Sequence, residues 1–140
     1  MITRFTHFSL WVLDQDSAYD FYVNKLGFKV VTDVPMVPAN KGNRWLTVRP
    51  PQMEGIEINL SLITEGMWYS KETAETLREL VRKGTFGCGV LTCDDIYATY
   101  EELKAKGVRF TKAPAKEFYG TEAFFKDDSG NWFSLAQLNP

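Results

Sequence analysis

Apolar and polar residues alternate along two stretches of the chain, residues 5–14 and 86–95, which align with each other without a gap. Alternation with a period of two predicts a β-strand, and self-similarity at a fixed distance indicates an internal repeat. Each predicted strand runs into acidic residues of the kind that begin helices, and each following helical pattern ends at a glycine, Gly27 or Gly107. Both halves of the chain therefore begin with the same strand-helix unit.

The rest of each half continues the repeat. The helical patterns cover residues 16–26 and 95–106, and a second strand begins at residue 27 or 107. Two more strands are predicted in each half, at 45–48 and 56–63 in the first and at 123–126 and 131–138 in the second. Segments rich in Pro, Gly or Asp separate these strands and predict hairpin turns. Each half is thus predicted to be a βαβββ unit.

The organisation that follows is a first module at residues 1–66, a linker helix within 67–84 and a second module at 85–140. Ser70 is the candidate N-cap of the linker helix. A single module covers one face of its sheet with its helix and leaves the other face bare. We therefore expect the two modules to combine across their bare faces.

Side chains alternate across a strand, so parity divides the first and last strands of each module into two surfaces. One surface is apolar and is predicted to form the core under the helices. The other is a mixture of small, polar and aromatic side chains: His7, Ser9, Trp11, Glu57, Asn59, Ser61, Cys88, Val90, Thr92, Trp132, Ser134 and Ala136. A face in water is one interpretation. The single charged residue, Glu57, and the two tryptophans favour a pocket for a small molecule.

Charge and composition narrow the choice of partner. The 140 residues include 16 Lys and Arg and 18 Asp and Glu, without a basic run, which argues against binding to nucleic acid or to anionic membranes. No export signal or membrane-length apolar run is recognisable, so a cytoplasmic location is expected. Cys88 and Cys93 are five residues apart on one predicted strand and should point to opposite faces as reduced thiols.

Several segments taken together, 6–12, 18–28, 92–96 and 127–131, resemble the vicinal oxygen chelate superfamily. That superfamily includes glyoxalase I, extradiol dioxygenases, fosfomycin-resistance thiol transferases and bleomycin-resistance proteins. The resemblance implies an α+β fold in which two βαβββ modules form half-barrel sheets around a cavity. It also implies a homodimer, since members commonly assemble as dimers.

The resemblance further implies four positions at which metal-dependent members hold a divalent ion, here His7, Asn59, Cys88 and Ser134. Only His7 is an ordinary ligand for such an ion, because Asn and Ser are weak neutral donors. We therefore expect no metal and no other cofactor. Two alternatives stay open: Cys88 with His7 on a soft metal, or Glu57 in place of Asn59 after a one-residue strand slip, which the hydrophobic pattern opposes.

Individual residues allow more than one role. His7 is the one histidine of the chain and is either a general acid or base or a structural residue. Cys88 is either a nucleophile activated by His7 or a packing residue. Trp68 and Tyr119, in predicted loops, either close over a ligand or cover an edge of the core.

The predicted function is metal-free binding of an apolar or aromatic small molecule between the modules. The resemblance to bleomycin-resistance proteins implies that the role of this binding is sequestration. The predicted ligand-binding residues are His7, Ser9, Trp11, Glu57, Asn59, Ser61, Trp68, Cys88, Val90, Tyr119, Trp132 and Ser134. The alternatives are a glyoxalase-like lyase or a dioxygenase with an atypical metal site, and a metal-free isomerase that uses His7. A purely structural or regulatory domain is a third possibility.

Overall fold

The computed structural model describes residues 1–36, 42–66 and 68–140. Within these residues the chain divides into two compact units, residues 1–78 and 79–140. The division falls inside a helix, and residue 67, where the linker was predicted to begin, lies outside the described residues. No helix in the described part of the chain is long and apolar enough to cross a membrane.

The first unit contains strand β1 (His7–Val12), helix α1 (Gln15–Tyr19), β2 (Lys29–Pro35), β3 (Arg44–Arg49) and β4 (Glu57–Leu62). Helix α1 continues as a π-helical segment over Asp20–Lys25. The sheet order is β1-β4-β3-β2, with β1 parallel to β4 and the other neighbours antiparallel. Helix α2 (Lys71–Arg82) follows and crosses the division between the units.

The second unit repeats this architecture with β5 (Gly87–Thr92), α3 (Ile96–Ala105), β6 (Arg109–Glu117), β7 (Gly120–Lys126) and β8 (Trp132–Leu138). Its sheet order is β5-β8-β7-β6, and the first and last strands are again parallel. The predicted α+β fold with two βαβββ modules is confirmed.

The helices begin where polar side chains satisfy free backbone N–H groups. Asp14, Ser70 and Asp95 each accept a hydrogen bond from a backbone N–H in the first turn, at 2.7, 3.1 and 3.0 Å. Ser70 is thus the N-cap of α2, as predicted. The first helix differs from the regular pattern expected over residues 16–26, because the N–H of Leu26 reaches the carbonyl of Phe21, five residues back, at 3.0 Å.

The core of the first unit lies under its helix, on the predicted face of β1 and β4. Leu10, Val12, Ile58 and Leu60 are all buried. The buried amide of Gln15 attaches the start of α1 to the sheet: Nε2 donates to two backbone carbonyls of β3 and β4 at 2.8 Å, and Oε1 accepts a backbone N–H of β3 at 2.9 Å. Helix and core thus occupy one face of the sheet and leave the other for different groups.

Candidate functional site

The opposite face of the first sheet, here called the first open face, contains the residues that parity predicted. Register pairs His7 with Glu57, Ser9 with Asn59 and Trp11 with Ser61. Strand β3 adds residues that the sequence analysis did not assign, because parity was applied only to the first and last strands. Thr47 lies opposite Asn59, which places alternate residues of β3 on the same face: Trp45, Thr47 and Arg49.

A chain of polar contacts runs across one end of the first open face. His7 Nε2 lies 3.3 Å from Glu57 Oε2, and His7 Nδ1 lies 2.8 Å from the hydroxyl of Thr6. On the other side of Glu57, the hydroxyl of Thr47 donates to Oε1 at 2.6 Å, and the backbone N–H of Thr32 donates to that hydroxyl at 3.1 Å. Both nitrogens of His7 and both oxygens of Glu57 therefore have partners.

The register of β4 bears on the alternative that involves Glu57. Glu57 was considered as a replacement for Asn59 at the metal position only after a strand slip, and the observed register shows no slip: Glu57 lies directly opposite His7. The hydrophobic pattern fixes the register as argued, with Ile58 and Leu60 in the core. The two side chains meet because β1 and β4 are parallel neighbours with their chains in phase.

Aromatic rings form the other component of the first open face. The indole of Trp11 donates from Nε1 to the hydroxyl of Tyr69 at 3.0 Å, and the two rings lie edge to face at a centroid distance of 6.4 Å. The ring of Trp45 lies against that of His7, with centroids 5.7 Å apart. Both tryptophans are half-buried, so each indole is held by a partner while part of its surface faces solvent.

Trp68 lies beyond this aromatic group and is 73% exposed. This exposure argues against one of its two predicted roles, that of covering an edge of the core. An open depression of about 500 Å³ adjoins it, lined by residues of the loop and the start of α2: Glu65, Gly66, Trp68, Tyr69, Ser70 and Lys71. Tyr69 belongs to both the depression and the aromatic group of the first open face.

The second sheet has a corresponding face, here called the second open face, with Val90, Thr92, Trp132, Ser134, Ala136, Glu122, Phe124 and Lys126. Its polar centre is Glu122, which the sequence analysis missed because parity was not applied to this strand and because the predicted strand began one residue later. Glu122 accepts hydrogen bonds from the hydroxyls of Ser134 at 2.6 Å and Tyr119 at 2.7 Å. Lys112 Nζ lies 3.6 Å from the same carboxylate.

These contacts shift the pKa values of Glu122 and Tyr119. The hydrogen bond from Ser134, then that from Tyr119, lowers the pKa of Glu122 below its usual value. The same contact raises the pKa of Tyr119 to about 12. Glu122 is thus an acceptor that orients two hydroxyl groups, and Tyr119 serves as a positioned phenol.

Trp132 is seated by a glycine on the neighbouring strand. Gly87 lies opposite Trp132, and a Cβ atom at Gly87 would collide with the indole ring. Phe124 packs edge to face against the same indole, with centroids 5.8 Å apart. Because Gly87 has no side chain, the large, half-buried ring of Trp132 can lie across the beginning of β5.

The strand alternation on which the prediction for Cys88 depended is interrupted near this residue. The pairing of β5 with β8 shifts between Gly87 and Val90, so one extra residue on β5 breaks the alternation that had placed Cys88 on the open face. The thiol contacts the carbonyl of Phe86 at 3.7 Å. Burial, with a contribution from the charge of Asp127, raises its pKa to about 12. A thiol with this pKa is protonated at neutral pH and is a poor nucleophile.

The four positions that the resemblance implies for a metal ion do not offer a fitting set of donors. His7 is engaged by Glu57 and Thr6, and position 59 offers a neutral amide. Cys88 is a protonated thiol, and Ser134 donates its hydroxyl hydrogen to Glu122. No group of three or more His, Cys, Asp or Glu side chains suited to a metal ion occurs among the described residues. Divalent ions require anionic or imidazole donors that this set does not combine.

The repeated modules and their open faces agree with a comparison against protein families. The model of the Glyoxalase/Bleomycin resistance protein/Dioxygenase superfamily matches residues 4–135. The chain belongs to this superfamily. The match spans both modules, which is the extent that the resemblance in the sequence had suggested.

Two solved structures and one known protein are similar to this chain over almost its whole length. The crystal structure of UcmS2 shares 45% identity and a TM-score of 0.88, covering 97% of this chain and 98% of that one. TnmS3, an antibiotic binding protein from Streptomyces sp. CB03234, shares 28% identity and a TM-score of 0.71, covering 99% and 98%. An uncharacterized protein of Shewanella frigidimarina (strain NCIMB 400) is 33% identical over 133 residues, covering 95% of this chain and 92% of that protein.

Proposed function

We propose that the chain binds an aromatic small molecule on the first open face and sequesters it without converting it. The observation on which the proposal rests is the arrangement of Trp11 and Trp45. Both indoles are oriented by a partner and half-exposed, and both stand on a sheet face whose polar groups are mostly paired within the chain. Oriented aromatic side chains beside a few polar groups are typical of sites for apolar ligands.

The orientation of these rings favours a flat ligand. Trp11 is fixed by its hydrogen bond to Tyr69, and Trp45 by its contact with His7. A ring held in advance loses little conformational entropy when a second ring packs against it. Stacked or edge-to-face pairs contribute about 0.5–1.5 kcal/mol each beyond the buried area. Two such contacts supply a useful part of the affinity of a small aromatic molecule.

Binding without chemistry is the better account of the polar groups. A general base needs a free lone pair directed at the substrate, whereas both ring nitrogens of His7 have partners in the chain. Burial raises the pKa of the Cys88 thiol, which therefore stays protonated at neutral pH. The donors at the metal positions do not fit a divalent ion, so the lyase and dioxygenase alternatives lack the groups that their chemistry requires.

The relatives support a ligand of the antibiotic class. TnmS3 is an antibiotic binding protein and overlaps this chain almost completely, at 28% identity. This likeness, together with the aromatic face, extends the proposal to aromatic antibiotics.

We also propose that the protein is a homodimer, which sedimentation at micromolar concentration would test: a monomeric profile would contradict it.

A thermal-shift screen tests the binding function. The panel contains aromatic antibiotics and two- and three-ring phenols, and a ligand at 100 times its Kd should stabilise the protein by about 2.7 kcal/mol. The compounds that raise the unfolding midpoint are then titrated by calorimetry. The proposal expects at least one aromatic compound to bind with a stoichiometry of one or less per chain. It is contradicted if the whole panel leaves the midpoint unchanged.

A further inference from the structure

Asn59 occupies the centre of the first open face. It is paired in register with Ser9 on β1 and with Thr47 on β3, and only 6% of its surface is exposed. Its Nδ2 donates weakly to the hydroxyl of Ser9, at 3.4 Å. Its Oδ1 is buried and has no hydrogen-bond partner among the residues that the structure describes. A buried amide oxygen normally has a partner, so this atom requires an explanation.

The neighbouring side chains do not supply the missing hydrogen bond. The hydroxyl hydrogen of Thr47 is directed to Glu57, and the hydroxyl oxygen of Thr47 accepts the N–H of Thr32. The unpaired oxygen of Asn59 does not stabilise the fold. Its desolvation costs free energy that an apolar side chain of similar shape would not cost. The fold therefore accounts for the amide nitrogen, through its long contact with Ser9, but gives no reason for the oxygen Oδ1.

The aromatic rings show how a ligand would approach this oxygen. His7 stands on β1 and Trp45 on β3, and β4 lies between those strands in the sheet. The two rings nevertheless come within 5.7 Å of each other, so they meet above β4, on the side to which Asn59 belongs. A flat molecule that packs against Trp45 thus brings its edge over β4, on the side where the amide of Asn59 lies.

We propose, on the basis of the function proposed above, that Asn59 Oδ1 accepts a hydrogen bond from a hydroxyl or N–H group on the bound aromatic molecule. The ligand is then a phenol or an aromatic amine, and Asn59 determines this specificity. A site built to accept a hydrogen bond discriminates against an analogue that lacks the donor, because the buried acceptor is then left unpaired. A hydrocarbon or ether of the same shape binds more weakly.

Two probes that share their rings, one with the donor and one with the donor capped by a methyl group, test the inference by calorimetry. 2-Naphthol has a hydroxyl group, and 2-methoxynaphthalene has the same rings without a donor. The wild-type protein is expected to bind 2-naphthol about tenfold more tightly than the ether. Asn59→Leu, which keeps the branched shape and the number of side-chain heavy atoms but removes the acceptor, should abolish this preference, while Asn59→Asp, which keeps an acceptor oxygen, should retain it.

A stability measurement separates recognition from a structural role. Asn59→Leu is expected to unfold at the same temperature as the wild type or higher, while its affinity for 2-naphthol falls about tenfold and that for the ether stays within twofold. Equal affinity of the wild type for both probes, or a preference that survives in Asn59→Leu, would overturn the inference and leave the binding function standing. If neither probe binds the wild type, the proposed binding of aromatic molecules is contradicted together with it.

Discussion

Replacing Ser134 by alanine tests the network of the second open face. The Ser134 hydroxyl donates to Glu122 Oε2 at 2.6 Å; Ser134 is 4% exposed and the Glu122 side chain 14% exposed. Hydrogen bonds to charged groups contribute about 1.5–3 kcal/mol. Because the carboxylate retains its contacts with Tyr119 and Lys112, we expect the lower part of this range. Ser134→Ala should reduce the free energy of unfolding at pH 7 by about 1.5 kcal/mol.

This loss should depend on pH in a defined direction. The folded protein lowers the pKa of Glu122, chiefly through Ser134, so the network stabilises the fold above the usual carboxyl pKa of 4.5 and loses this effect as the pH falls through the folded value. Ser134→Ala removes the largest cause of the shift and returns the pKa towards its usual value. The difference in stability between wild type and variant should therefore shrink as the pH falls below 4.5.

Urea unfolding at neutral pH and at a pH below the usual carboxyl pKa measures both effects. The matched control is Ser61→Ala, the same change on a strand of the first open face, where the serine is only half-buried. The control should change stability by less than about 0.5 kcal/mol at either pH. Our reasoning would be refuted if Ser134→Ala behaved like the control, or if its effect were the same at both pH values.

Three further predictions concern individual side chains. Gly87→Ala should destabilise the protein by about 1–3 kcal/mol in urea unfolding, since its Cβ collides with Trp132; an unchanged midpoint would contradict this. Burial raises the pKa of Cys88 to about 12 and raises that of Cys93, so iodoacetamide at pH 8 should modify both slowly in the folded protein and readily in urea. Rapid labelling of the folded protein would contradict that expectation. Trp68→Ala should change stability by no more than about 0.5 kcal/mol, because the indole is 73% exposed; a larger loss would restore the core-edge role.

The sequence predicted the fold well because the repeat, the caps and the alternation are all local patterns. On β1 and β4 alternation also predicted the contents of the first open face, since these strands pair in phase over their whole length. The same rule failed at Cys88, where an extra residue shifts the pairing of β5. The glycines on either side of Cys88 were a usable signal, because glycine within a strand often marks a bulge.

Partners from distant parts of the chain were harder to foresee. Trp11 and Tyr69, 58 residues apart, are joined by a hydrogen bond that no local pattern encodes. The role of Glu122 was missed because β7 was not divided by parity and because it extends back to Gly120, beyond the predicted start of the strand. Such contacts depend on which strands become neighbours and on where each strand begins, and both are decided by tertiary packing.

Calorimetric titration of 2-naphthol into wild type, Trp45→Ala and Phe118→Ala tests the central claim most directly. At about 0.5 kcal/mol for each of its eleven non-hydrogen atoms, the wild type should bind with a Kd on the order of 100 µM. Trp45→Ala should bind about tenfold more weakly, because it removes a ring of the first open face. Phe118, 93% exposed in the second unit, is the control, and its replacement should leave the Kd unchanged. Absence of binding to the wild type, or equal affinity of Trp45→Ala, would contradict the account.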